Sequence, residues 1–499
     1  MTISTAVDLS AVARVVGIKT AFKDLRGGNI LYLPQRIAVL GQGSTASVYP
    51  TTKIQLTSER AVAERFGYGS PLHLAARQLL PVNGDGVGSI PVTFYPLVDD
   101  GSGVAAVGDI TPSGTQTALE AYIVRINNID SAAFTIAAAQ TVAATCTAMA
   151  AAINATLHIP VVATASATKV TCTAKWKGAS GNDIKIEVIG STTAGTTFAL
   201  VQPTGGAVNP NVDSALAQLG NVWETMVLNC LDVADTVTLG KINTVGEGRW
   251  GALVRKPFVS FVGNTAASVN SAITVSDARR TDRINAQLVA PASKDLPLVV
   301  AARQLARIAP VANNNPARDY GSLDATGLTP GADASQWTYP DRDQAVKGGS
   351  STVEVKDGVV NIADVVTFYH PTGDALPAYR YVCDIVKCMN IIFNLDLIFA
   401  TDEWDGAPLI PDEQATTNPT ARKPRTAVTA VNSMIDSLGL AAIISDPATA
   451  KTRTVAAISS QNPKRLDVAL TVQLAGNANI ISVDFNFGFY FGVTPIVEV

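Results

Sequence analysis

Positive charge is not in excess in this sequence. Its 37 Lys and Arg residues stand against 41 Asp and Glu, a formal net charge of -4. Proteins that hold nucleic acid through its phosphates need a cationic surplus, and the balance here excludes that class. Long apolar runs are missing too. No uncharged apolar stretch reaches the ~18 residues of a membrane-spanning helix, so no membrane insertion is expected. Met1-Thr-Ile-Ser-Thr-Ala also lacks the basic segment and apolar core of an export signal, and the chain is expected to be soluble and to start in a cytoplasm.

Cysteine and histidine are sparse. Cys146, Cys172, Cys230, Cys383 and Cys388 are odd in number, widely spread and set in apolar sequence, so they read as buried thiols of a reducing compartment. His73, His158 and His370 are the only histidines. None lies near another His or a Cys at ligand spacing, so no metal site is expected, and a Ser-His-Asp triad would need one of the three to be well placed by coincidence. His370, beside Tyr369 and before Pro371, reads as a packing or capping residue. There is no G-x-x-x-x-G-K-S/T phosphate loop. Gly41-Gln-Gly43-Ser-Thr-Ala46 matches the dinucleotide pattern G-x-G-x-x-A, but no helix follows before Pro50, and a turn is the better reading. Asn154-Ala-Thr156 fits the glycosylation pattern, which a non-secreted chain never uses. The expectation is a non-enzyme with no cofactor and no catalytic residue.

What the chain does have is alternation at its end. Leu466, Val468, Leu470, Val472 and Leu474 point one way, with Asp467, Thr471 and Gln473 opposite; after an Ala-Gly-Asn-Ala link, Ile481, Val483, Phe485, Phe487, Phe489 and Phe491 fall on one face. Period two means strands with one buried face. A two-stranded ribbon carrying this much aromatic surface is not stable alone. Its cover comes either from the chain's own helices or from strands added by other copies at the sheet edge.

At 499 residues roughly three or four domains are expected. Residues 1–30 read as an arm, with Val12, Val15, Val16, Ile18 and Phe22 among cations and no partner strand nearby. Residues 31–107 read as a small α/β domain: a buried strand at Ile37, a capped helix from Ser58 to Gly67, a helix from Pro71 and a strand from Val92. Residues 108–206 turn rich in Thr, Ala, Ser and Gly, and read as a β-rich insertion on the surface. Residues 207–375 alternate strands and helices, with helices at Val212–Val222, Ala234–Asn243, Ser268–Arg280 and Leu298–Ile308. Units of this kind give a parallel sheet, whose strands run almost continuously apolar when buried on both faces. Asp357-Gly358 turns a hairpin. Residues 376–499 open with a helix from about Ala378 to Ile398, add a second at Val428–Leu438, and close on the alternating strands. The fold class expected is multidomain α/β.

This order of parts resembles the contractile tail sheath proteins of myophages and related injection systems. The resemblance spans essentially the whole chain and is most specific at Thr352–Val382, through the Asp-Val-Val-Thr-Phe-Tyr run, and at Lys464–Leu474 with Ile480-Ile-Ser-Val-Asp-Phe. It implies a virion protein assembled in the host cytoplasm, with a parallel α/β core and a C-terminal domain completed by exchanged terminal strands. Its partners would be further copies of itself in six-membered rings, a tail tube protein, and baseplate and terminator proteins. It also implies that the C-terminal domain faces the tube. Arg422, Lys423 and Arg425 sit at the start of the second helix, where cations are unfavourable for its dipole, and are the expected tube-facing residues, with Lys387 beside them. A solvated loop is the alternative for this cluster. For the whole chain the alternatives are a hydrolase on the parallel sheet and another shell-forming protein such as a surface-layer subunit.

Overall fold

The computed structural model describes residues 31–191, 193–374, 377–485 and 487. The fold is mixed α/β. Its centre is a six-stranded sheet made of β1 (Ile37–Gln42), β2 (Ile54–Gln55), β3 (Val92–Leu97), β12 (Met226–Asn229), β13 (Val259–Asn264) and β14 (Asn285–Val289), in the order β14-β13-β12-β1-β3-β2. All neighbours are parallel except β2 on β3. The strands at Ile37 and Val92 therefore lie in one sheet with those of residues 226–289.

The two faces of β1 explain why its sequence is apolar throughout. Ile37 and Val39 pack with Phe94, Leu228 and Phe261 under α2 (Pro71–Leu79) and α7 (Pro297–Asn314), while Ala38 and Leu40 pack on the other face with Tyr95, Val227, Leu216 and Ile242. Leu216 and Ile242 come from α4 (Asp213–Ala217) and α5 (Thr236–Trp250). The helix expected over Val212–Val222 is thus one short turn pair. Gly220, at φ 50, lies just past its end, a left-handed position that favours glycine. The remaining core helices are α1 (Glu59–Phe66), α6 (Val269–Asp277) and α8 (Tyr339–Lys347). Ser58 caps α1 by accepting from Ala61 N at 3.3 Å, and Gly67 stops it at φ 91. At Gly263 a Cβ would lie 1.7 Å from Pro297 O, so β13 and the start of α7 touch backbone to backbone.

Residues 107–204 carry two four-stranded sheets of their own. One joins β5 (Glu120–Ile126), β6 (Ile129–Asp130), β7 (Phe134–Ile136) and β10 (Ile186–Ile189); the other joins β4 (Val107–Ser113), β8 (Val161–Ala165), β9 (Val170–Ala174) and β11 (Thr197–Thr204). Helix α3 (Val142–Ala155) packs beside them. The chain enters and leaves through a bridge, Val104 N to Ala207 O at 3.0 Å and Ala207 N to Val104 O at 3.1 Å. The contact with the body is not only apolar: Lys175 Nζ donates to Tyr68 O at 3.0 Å and Thr45 N to Lys175 O at 2.8 Å.

A hairpin of β15 (Thr352–Lys356) and β16 (Val359–Asp364) turns at Asp357 and Gly358, both with positive φ, 50 and 77, as a two-residue hairpin of this twist requires. Two helices follow, α9 (Val382–Phe399) and α10 (Pro424–Leu440), then β17 (Ile444–Ser445), α11 (Pro447–Arg453), β18 (Val455–Ile458), β19 (Leu466–Ala469) and β20 (Gln473–Leu474). β18 pairs β19 and β17 pairs β20. Val468, Leu470, Val472 and Leu474 turn their half-buried face onto Val431, Met434, Ile435 and Leu438 of α10.

Candidate assembly surfaces

Of the expected arm residues, Val12, Val15, Val16, Ile18 and Phe22 lie outside the described residues, as do Phe489 and Phe491. Ile481, Val483, Phe485 and Phe487 are described, and they differ from the sequence expectation. Residues 475–485 form no strand, and Ile480, Ile481, Val483, Phe485 and Phe487 are 77–83% exposed. The alternation is present in the sequence, but no described edge of this chain pairs with it. Phe485 and Phe487 stack on one another at 6.0 Å.

The roots of both terminal segments are held firmly. Leu31 N donates to Asn394 Oδ1 at 3.2 Å and Asn394 Nδ2 to Leu31 O at 3.0 Å, while Leu33 N donates to Asn390 Oδ1 at 2.8 Å. At the other end Lys387 Nζ donates to Ala475 O at 2.7 Å, to Asn477 Oδ1 at 2.6 Å and to Asp384 at 2.9 Å. Lys387 is fully buried. That corrects its expected place beside the basic cluster: an amine with no exposed surface and three oxygen partners has no free bond for an external acid.

The basic cluster is divided. Arg422 donates to Pro419 O at 3.1 Å and sits 3.6 Å from Glu403, with its side chain 16% exposed. Lys423 Nζ donates to Asp412 O at 3.0 Å and Gln414 O at 2.6 Å. These two cations tie down the carbonyls of residues 412–419, a segment too irregular to satisfy them itself. Arg425 is exposed in the first turn of α10, its backbone N–H taken by Asp412 Oδ1 at 3.0 Å.

The histidines are not isolated in space. His73 and His158 stack at 5.3 Å between α2 and the insertion, and with Glu59 their ligand atoms fall within 4.8 Å of one another. A metal does not fit them. Gly69 N donates to His73 Nδ1 at 2.8 Å, which leaves the ring proton on Nε2, facing Glu59 Oε1 at 3.3 Å. Arg77 lies 3.6 Å from the same carboxylate, and Lys175 faces the pair. Burial, reinforced by the charges of His158, Arg77 and Lys175, pushes the His73 pKa down to about 3. This is a joint of neutral rings. At His370 both ring nitrogens are occupied, by Phe368 O at 2.7 Å and Asp277 at 3.0 Å. Neither buried histidine offers a nitrogen to a serine. Burial raises the thiols as well, Cys172 to about 12 and Cys388 to about 11, so no reactive thiolate forms there. After β1, a Cβ at Gly43 would lie 2.3 Å from the Tyr49 ring, whose hydroxyl accepts from Gly43 N at 3.0 Å. The ring occupies the inside of that turn.

No protein-family model matches the chain. A curated relative does: over 350 residues, 68% of this chain and 69% of the other, it is 25% identical to the Mu-like prophage FluMu tail sheath protein of Haemophilus influenzae. The resemblance to contractile tail sheath proteins read from the sequence is thus borne out by a curated relative. Among solved structures, the chain is similar to the sheath tail protein Lin1278 of Listeria innocua, with a TM-score of 0.47 and 11% identity over 90% of this chain and 94% of that one. It is also similar to the anti-feeding prophage helical sheath in its contracted state, with a TM-score of 0.45 and 9% identity over 95% and 98%.

Proposed function

We propose that this chain is the repeating subunit of a contractile phage tail sheath, stacked as six-membered rings around a tail tube and contracting to drive the tube through the host envelope. The observation that carries this reading is the apolar segment Ile480–Phe487, exposed and without a described strand partner in its own chain. Surface of this kind marks an interaction site. A strand at Ile481–Phe491, completed by the edge of a neighbouring copy, would gain about 0.5 to 1.5 kcal/mol net for each backbone bond besides burying its Val and Phe side chains. Residues 1–30, with Val12, Val15, Val16, Ile18 and Phe22, supply the second exchanged strand. Linkers of this strength hold subunits together while the domains rotate, and the lattice survives contraction.

In this reading the protein has no catalytic role and binds no nucleic acid. Its partners are its own copies, a tail tube protein at Arg425, and the baseplate and terminator proteins at the ends of the array. It is a virion component put together in the host cytoplasm. The test is truncation. A chain lacking residues 1–22 is expected to stay folded and soluble and to form no tubes, by size-exclusion chromatography and microscopy. Long tubes of normal appearance from the truncated chain would rule out the arm as a linker.

A further inference from the structure

Lys387, Asn390 and Asn394 fall three and then four residues apart on α9, so they share one stripe of the helix. Their exposures are 0%, 0% and 5%. Buried polar side chains persist only where their hydrogen bonds are made, and here those bonds run to both ends of the chain. Asn390 and Asn394 take the backbone of Leu31 and Leu33. Lys387 takes Ala475 and Asn477, and Asn477 Nδ2 is itself fixed to Ala317 O at 2.9 Å. Residues that are far apart in the chain are thus secured within two turns of a single helix.

We infer that this stripe is a clamp shared by the two terminal segments, setting the points at which both leave the subunit toward further copies of the chain. The inference rests on the proposal that both segments link neighbouring subunits. Its physical basis is the cost of release. Release of Ala475 and Asn477 would take from Lys387 two of its three oxygen partners and leave the ion pair with Asp384 alone. The root of the tail is therefore docked whether or not its far end has found a neighbour. A similar cost attaches to Leu33, 3% exposed, whose amide bond to Asn390 is buried; Leu31, at 60% exposure, is held more lightly by Asn394. One helix then carries both linkers, so a rotation of the subunit moves arm and tail as a unit, and their separation on the lattice is set inside each subunit. Lys387, Asn390, Asn394 and Asn477 are positioning residues for assembly.

Asn394→Ala and Asn477→Ala, each in the full chain, test this by hydrogen–deuterium exchange alongside microscopy. Loss of a hydrogen bond at a root is expected to raise amide exchange there roughly tenfold, at residues 31–33 in the first variant and 475–479 in the second. Amides of β13 stay protected, and the yield and length of tubes fall. Faster exchange at the roots with tubes of normal yield and length would overturn the positioning role; unchanged exchange would overturn the clamp. Should Asn394→Ala lose protection in β13 as well, Asn477→Ala and Lys387→Met carry the same test at the other root. Normal polymerisation of the chain lacking residues 1–22 is a separate result, which sinks the linkage proposal and leaves the exchange data to judge the clamp.

Discussion

His73 and His158 lie ring on ring, centroids 5.3 Å apart and planes 28° from parallel, at the line where the insertion meets the body of the subunit. Glu59 stands beside the rings, with Arg77 and Lys175 on the cationic side. Burial is the first reason that both rings are held neutral, and the cations Arg77 and Lys175 add to it at each ring. Asp183, elsewhere on the insertion, is shifted upward to about 7, by burial first and by Asp232 second.

These shifts have opposite consequences. His73 titrates near 3 in the fold and near 6.5 in the unfolded chain, so its contribution to stability is complete above about pH 6.5 and is lost as pH falls toward 3. Asp183 titrates near 7 in the fold and near 3.8 unfolded; its contribution is complete below about pH 4 and is lost as pH rises through 7. Denaturant titrations at pH 4.5, 6 and 8 read both. His73→Asn is expected to gain on the wild type upon acidification and Asp183→Asn upon alkalinisation. Stability profiles that stay parallel to the wild type in both variants would show that neither group is perturbed.

Gly263→Ala tests the contact between β13 and α7. The new methyl would stand 1.7 Å from Pro297 O, and backbone cannot rotate aside as a side chain can. A loss of about 3 kcal/mol or more is expected, seen as an insoluble product or a sharply lowered denaturation midpoint. A midpoint like the wild type's would mean that α7 shifts freely on the sheet.

Much of this architecture is legible in the residues, and the exceptions have physical causes. Continuous apolar runs at Ile37, Met226 and Val259 mark strands buried on two faces, and Ser58 with Gly67 brackets a helix as caps should. Strand β4 escapes notice because Gly108, Asp109 and Pro112 carry little β signal; it is held by its neighbours β9 and β11. The stacking of His73 on His158 depends on how the insertion docks, which no local spacing encodes. Arg422 and Lys423 read as a free cationic cluster because the carbonyls they bind belong to an irregular loop. The polar stripe on α9 sits beside the apolar one at Val382, Ile385, Val386 and Met389. Its mark in the sequence is a lysine and two asparagines at helical spacing in a helix whose other charged residues are Asp384 and Asp396.

Removal of residues 108–206, with Val104 and Ala207 rejoined through a short Gly linker, tests the insertion as an outward decoration. The bridge between those residues keeps the cut ends close. Tubes of reduced outer diameter are expected. Because the apolar core runs continuously from the insertion to α1 and α2, the shortened subunit is expected to be less stable than the full chain, and an unfolded product would show that the two share a core they cannot divide.

Arg425→Glu examines the tube-facing proposal with less ambiguity than a triple reversal, since Arg422 and Lys423 are engaged with their own loop. An exposed ion pair is worth about 0 to 1 kcal/mol, multiplied by repetition along a tail. Self-assembly is expected to be unchanged and co-assembly with purified tubes to weaken at low salt. Equal decoration of tubes by variant and wild type would remove Arg425 from the interface.

The central claim is that this chain polymerises as a sheath, and negative-stain microscopy of the purified full-length protein tests it most directly. The account predicts hollow tubes or stacked rings with sixfold end views. A folded protein that remains dispersed as single subunits, at every concentration and salt tried, would contradict it.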